Sequence, residues 1–139
     1  MNPLNAYKET KIKTASPGKL IILLYDEAIR QLDNGVQVLG SGSKKLDEVN
    51  NSVLRAQDMI TELMVSLDFE KAPEIARNLF NLYMYFNQQL TQGNLKKDIK
   101  PLKEVKKMMA DLRDAWKQAI VNVGQDVQGT ERGGVNIAG

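Results

Sequence analysis

The sequence predicts an all-α protein, an antiparallel up-down four-helix bundle. Three observations carry that reading. Four segments repeat apolar residues at intervals of three and four, the spacing that aligns side chains along one face of a helix. Short connectors containing Gly, Ser or Pro separate these segments, and short connections force successive helices to run antiparallel. No segment alternates convincingly at a period of two, so no sheet is expected.

The first long helix starts at Pro17. Ser16 suits the N-cap and proline the first helical position. Lys19 stands where a capping box would place Glu or Gln, so that motif is only half present. Leu32, Val36 and Leu39 carry the period to residue 39 through Asn34-Gly35, although an internal glycine costs ~1 kcal/mol. "GSGS", residues 40–43, ends it. In the second helix Leu46, Val49, Val53, Ala56, Ile60, Leu63 and Leu67 are spaced 3, 4, 3, 4, 3, 4, an uninterrupted heptad-like seam. Pro73 opens the third, with a seam expected at Ile75, Leu79, Leu82, Phe86 and Leu90 and a stop near Gly93. The last is marked by Leu102, Val105, Met109, Leu112, Trp116 and Ile120, with Pro101 in its first turn and Trp116 expected as a core anchor.

Residues 1–15 are polar with Leu4, Tyr7 and Ile12 scattered among them, which reads as a short helical or extended N-terminal arm. From Asn122 the chain, "NVGQDVQGTERGGVNIAG", loses its apolar period and is expected to be a mobile tail. The domain reading is one bundle over 1–121, its first 15 residues a mobile arm, followed by a flexible glycine-rich tail over 122–139.

Composition narrows the function. The 139 residues are 42% apolar and 26% charged, a balance typical of soluble globular domains. No apolar run approaches the ~20 residues of a membrane span, so membrane insertion is not expected. "MNPLNAYKET" lacks the layout of a signal peptide, which places the chain in the cytoplasm. Histidine and cysteine are absent. That removes the commonest general base, thiol nucleophiles, and zinc or haem ligation through these residues. Neither enzyme activity nor a cofactor or metal is expected. A net charge of +2 gives no case for nucleic acid. Lys96, Lys100, Lys103 and Lys107 make a basic stripe on the last helix, read as a solvated face.

The apolar count exceeds what one bundle needs. Residues 20–25 form an unbroken apolar row, which on a 3.6-residue helix covers the whole circumference. Ile21, Leu24, Ala28, Leu32 and Leu39 make one stripe on that helix; Ile22, Tyr25, Ile29 and Val36 make a second. Phe80, Tyr83, Met84 and Tyr85 lie outside the expected third-helix seam, and Leu54 and Met64 flank that of the second. The surplus fits either a wide core or a groove for a partner segment.

Five pieces follow in order: "NAY" at 5–7, "TASPGKLIILLYDEAI" at 14–29, "RAQDMITELMVSLD" at 55–68, "ARNLFNLYMYFNQQL" at 76–90 and "LRDAWKQAI" at 112–120. Together they resemble the flagellar secretion chaperone family, FliS, over nearly the whole chain to about Ile120. Gly18-Lys19 departs from the acidic residues common in the family after Ser-Pro. The resemblance implies a bundle that binds the C-terminal segment of newly made flagellin, prevents premature polymerisation, and delivers the subunit to the export-gate protein FlhA.

On that reading the flagellin groove is assigned to Ile22, Tyr25, Ile29, Leu54, Met64, Phe80, Tyr83 and Met84, with Gln57 and Asn87 as bonding partners for the client backbone. Leu4, Tyr7 and Ile12 of the arm would fold over the empty groove, and the family assigns the arm a part in export-gate docking. The rival reading is a self-associating structural bundle, a homodimer when client-free.

Overall fold

The computed structural model describes residues 17–132, with side chains to Val123. Four helices follow one another: α1 (Pro17–Gly40), α2 (Leu46–Val65), α3 (Pro73–Lys96) and α4 (Ile99–Arg132). The expected all-α architecture is present. Cross-links between helices give the direction of each. Asp26 meets Arg113 at 2.6 Å and Asp33 meets Lys106 at 2.7 Å, so numbers rise on α1 as they fall on α4. Asn94 donates to Asn50, and Gln57 to Thr91, which sets α2 against α3 in the same sense. Asn34 donates to Ser52 between α1 and α2, and Tyr85 to Glu104 between α3 and α4. Each helix therefore packs on the next around a square, with α4 closing on α1; α1 is the most heavily packed and α3 the most lightly.

The heptad-like seam of α2 is buried as its spacing predicts. Val49, Val53, Ala56, Ile60 and Leu63 are sealed in the core, with Leu67 half-buried beyond the helix end; Leu46, at its start, is exposed. On α3 the buried row is Ala76, Tyr83, Phe86, Leu90 and Gly93, with Leu79 half-buried between the first two. This is rotated from the expected row. Ile75 turns outward and Leu82 is only half-buried. The observed residues 76, 79, 83, 86, 90 and 93 have the regular 3, 4, 3, 4, 3 spacing, the better match to a packing seam.

Two glycines set how closely the helices approach. A Cβ on Gly35 would lie 3.2 Å from Leu102 Cδ2, and one on Gly93 would lie 2.7 Å from Leu102 Cδ1. Leu102 is thus inserted where α1 and α3 carry no side chain, which explains why α1 runs through Asn34-Gly35 without a break. α3 passes Gly93 and ends at Lys96, where Lys97 adopts the left-handed conformation at φ 51°. α4 remains helical to Arg132, beyond Asn122 where the sequence reading placed a tail. Packing weakens there all the same: Val121 and Val123 are exposed. Residues 1–16, with Leu4, Tyr7, Ile12 and the expected Ser16 cap, and residues 133–139 lie outside the described residues.

Candidate functional site

The core is closed at one end of the bundle and open at the other. Near the start of α4, Leu102, Val105 and Met109 are fully buried against Leu32, Val53 and Leu90. At the opposite pole, where α1 begins, α2 ends and α3 begins, the large apolar residues have incomplete shells. Ile21, Leu67, Leu79, Leu112 and Trp116 are half-buried, and Ile75 is 60% exposed. A cavity of about 190 Å³ opens there between Ile21, Leu63, Leu67, Ile75, Leu79, Tyr83 and Trp116. A second, of about 290 Å³, lies between α3 and α4 and shares Ile75, Leu79 and Trp116 with the first. The local cause is small residues at helical spacing. Ala115 and Ala119 of α4 line the second cavity and Ala76 of α3 the first, and none has the bulk to close the gap.

The connector from α2 to α3 forms the rim. Asp68 Oδ1 accepts the backbone N–H groups of Glu70 and Lys71, an Asx-type turn that fixes the chain beside the cleft. The Lys71 N–H, joined by that of Glu70, holds the Asp68 carboxyl below its usual range. Phe69, 48% exposed, stacks edge-on to Phe80.

Beneath the cleft the Tyr25 and Tyr83 hydroxyls are 2.6 Å apart, both rings fully buried. Burial pushes both phenols above their ordinary value, while interaction with the Trp116 indole N–H pulls the other way. Both stay neutral at physiological pH.

A second apolar surface follows the α2–α3 seam. Phe80, Met84, Asn87 and Thr91 share a row on α3 at i, i+4, i+7 and i+11. Gln57 Nε2 donates to the Asn87 carbonyl and to Thr91 Oγ1, so this row faces α2. Leu54 is 48% exposed, Met84 47% and Phe80 36%; Met64 is half-buried. Asn87 Oδ1 is buried without a hydrogen-bond partner in this structure.

The structure divides the sequence-assigned groove. Leu54, Gln57, Met64, Phe80, Met84 and Asn87 do come together, along the α2–α3 flank. Tyr25 and Tyr83 do not; they are core residues, because the α3 seam is rotated and Tyr83 occupies its centre. Ile22 and Ile29 are half-buried and share an α1 row with Asp26 and Asp33, which bond to α4. They belong to the opposite, α1–α4, edge of the square. The Gln57 amide is occupied in joining α2 to α3. Trp116, expected in the core, is instead a half-buried wall of the cleft at the pole. The sequence reading missed Ile75, Ala115 and Ala119 as cleft residues. An alanine pair at i, i+4 beside a tryptophan was the available signal.

The expected lysine stripe is split: Lys96 is the last residue of α3, while Lys100, Lys103 and Lys107 lie on α4, because the chain breaks at Lys97 and Asp98 between them. All four are exposed, Lys107 paired with Asp111 at 3.4 Å. Among the described residues no helix is long and apolar enough to cross a membrane.

A small helical bundle with half-covered apolar surface at one pole and along one flank has the build of a holding protein, one that masks apolar segments of another chain. Comparison with known proteins makes this specific. The family described as flagellar protein FliS matches residues 1–123. The flagellar secretion chaperone FliS of Bacillus subtilis (strain 168) is 32% identical over 129 residues, 93% of this chain and 94% of that one. Its namesake in Salmonella typhimurium is 34% identical over 111 residues, 79% and 81% of the two chains. A bacterial flagellar chaperone of known crystal structure shares the fold with a TM-score of 0.70, at 20% identity, over 87% of this chain and 99% of that one. The chain belongs to the FliS family of flagellar export chaperones.

Proposed function

We propose that the chain acts in the cytoplasm, holds the C-terminal segment of newly made flagellin against premature polymerisation, and presents the subunit to the export-gate protein FlhA. The observation that carries this reading is the apolar cleft at the pole, walled by Ile75, Leu79, Leu112 and Trp116, with the Leu54–Phe80–Met84 flank beside it. Both surfaces suit amphipathic helices whose apolar stripes would otherwise meet one another. Removing such stripes from water contributes ~25 cal/mol per Å² buried, and the ordering of the client opposes it. The work is binding and release, with no bond made or broken. Asn87 Oδ1, buried without a partner in the free chain, would accept a client N–H once the side chains covering it move aside. The arm residues Leu4, Tyr7 and Ile12 are assigned to covering the cleft before the client arrives and to gate docking.

The test is titration with flagellin, full-length and lacking its C-terminal segment, followed by light scattering. A one-to-one complex with the full-length protein alone is expected. A chain that stays homo-oligomeric and ignores flagellin would support the rival structural bundle.

A further inference from the structure

The polar cluster under the cleft does not balance. Tyr25 and Tyr83 each supply one O–H, so the pair holds two donors, and the acceptors available to them are their own two phenolic oxygens. One hydroxyl donates to the other across 2.6 Å. That uses one donor. The second proton has no acceptor among the described residues. Tyr25 is fully buried and Tyr83 nearly so, and a buried donor left without an acceptor loses its hydration with nothing in return. Solvent in the cleft is the outlet in the free protein, because Tyr83 and Trp116 both line the cavity and Tyr25 does not.

We infer that the floor of the cleft at the pole is a recognition point for a hydrogen-bond acceptor: the Tyr83 hydroxyl, its oxygen taken by Tyr25 and its ring lining the cavity, donates to a carbonyl or carboxamide oxygen of the client segment. This rests on the flagellin reading above and adds to it. The cleft then selects more than apolar area. It takes a segment that brings an unpaired oxygen within an otherwise apolar stripe, such as a carbonyl at a helix C-terminus or an Asn or Gln side chain. A purely apolar insert would seal the surplus proton away from solvent, and that penalty would exclude it.

The two tyrosines provide an internal control. Either change to phenylalanine removes the same O–H···O bond, so Tyr25→Phe and Tyr83→Phe should lower thermal stability by similar amounts. Their effects on binding should differ. Tyr25→Phe leaves the Tyr83 hydroxyl at the cavity floor with its proton free for the client. Tyr83→Phe removes the donor that reaches the cleft. In calorimetric titration with the flagellin C-terminal segment, Tyr83→Phe should weaken binding by about fivefold, and Tyr25→Phe should stay within about twofold of the unaltered protein. Equal affinities for the two variants, with the unaltered protein binding normally, would overturn the inference and leave the flagellin reading standing. Failure of the unaltered protein to bind the segment would overturn that reading and the inference with it.

Discussion

Ile75 offers the cleanest test of the apolar cleft at the pole. It is the third residue of α3, 60% exposed, and it lines both cavities. Full burial of an isoleucine side chain is worth about 1.5–3 kcal/mol. The share still open to water in the free protein is therefore worth about 1–1.5 kcal/mol when a client covers it. Ile75→Ala gives up most of that share, which corresponds to roughly tenfold in Kd. Folding should change little, because alanine is the better helix former and the buried part of the side chain is small. Leu95→Ala is the matched control. Leu95 is 76% exposed on the same helix, toward the opposite end, and lines neither cavity. Calorimetric titration with the flagellin C-terminal segment gives the affinities, and thermal unfolding gives the stabilities. Should Ile75→Ala bind like the unaltered protein, or Leu95→Ala lose as much affinity, the assignment of the client to the cleft is wrong.

Other perturbations probe the flank, the core and the charges. Leu54→Ala and Met84→Ala, each about half exposed, should each weaken flagellin binding about two- to fivefold without lowering the melting temperature; unchanged affinity in both would remove the α2–α3 flank from the interface. Gly93→Ala places a methyl 2.7 Å from Leu102 Cδ1 and 3.2 Å from the Asp98 carbonyl, and overpacking of this kind should cost about 1–3 kcal/mol in chemical denaturation. Glu27 is buried, which by itself raises its pKa; hydrogen bonds from Arg30 and Gln31 outweigh that and hold it below the ordinary 4.5. Its folded value is depressed, so its contribution is present above the ordinary value and lost as pH falls through the folded one. Glu27→Gln should therefore be less stable by about 1 kcal/mol at pH 7, and the gap should close as the pH falls below 4.5; a gap that persisted in acid would point to lost packing instead.

How much was legible in the sequence depended on residue size. The α2 seam could be read directly because nearly all its members are large and its spacing never slips. The α3 seam was misread by one register because two of its positions, Ala76 and Gly93, are small. A small residue in a buried row carries little hydrophobic signal, and its place is decided by what packs onto it. For Gly93 that is Leu102, a residue on another helix. With Ile75 and Leu82 in the seam, Tyr83 falls outside it; Tyr25 falls outside for a separate reason, because six consecutive apolar residues on α1 do not show which stripe faces the core. The flank fared better. Leu54 and Met64 flank the α2 seam and Phe80 and Met84 stand outside the expected α3 row, and all four remain exposed or half-buried in the fold. The cleft at the pole was hidden for a related reason: Trp116 does lie on the α4 period, but its small neighbours Ala115 and Ala119 do not fill the space beside it. The continuation of α4 past Asn122 overrides Gly124 and Gly129, which read as helix breakers at ~1 kcal/mol each.

The placement of the two surfaces says how a client would be held. Both adjoin α3. Phe80 and Met84 lie on its α2 side, while Ile75 and Leu79 lie on its α4 side. α3 is also the most lightly packed helix of the square, so it is the element with most apolar area left to cover. A client engaging both surfaces would run around α3 and supply what its neighbours do not. The large apolar residues of the two surfaces are only partly exposed. Leu54, Ile75, Phe80 and Met84 range from 36% to 60%, so each would contribute on the order of 1 kcal/mol on being covered. Affinity assembled from many such increments differs from affinity concentrated in one buried anchor. It can be firm in total, yet it can be lost stepwise, one contact at a time, without first breaking a dominant one. That is the energetic form a carrier needs if it must keep a subunit from polymerising and still give it up.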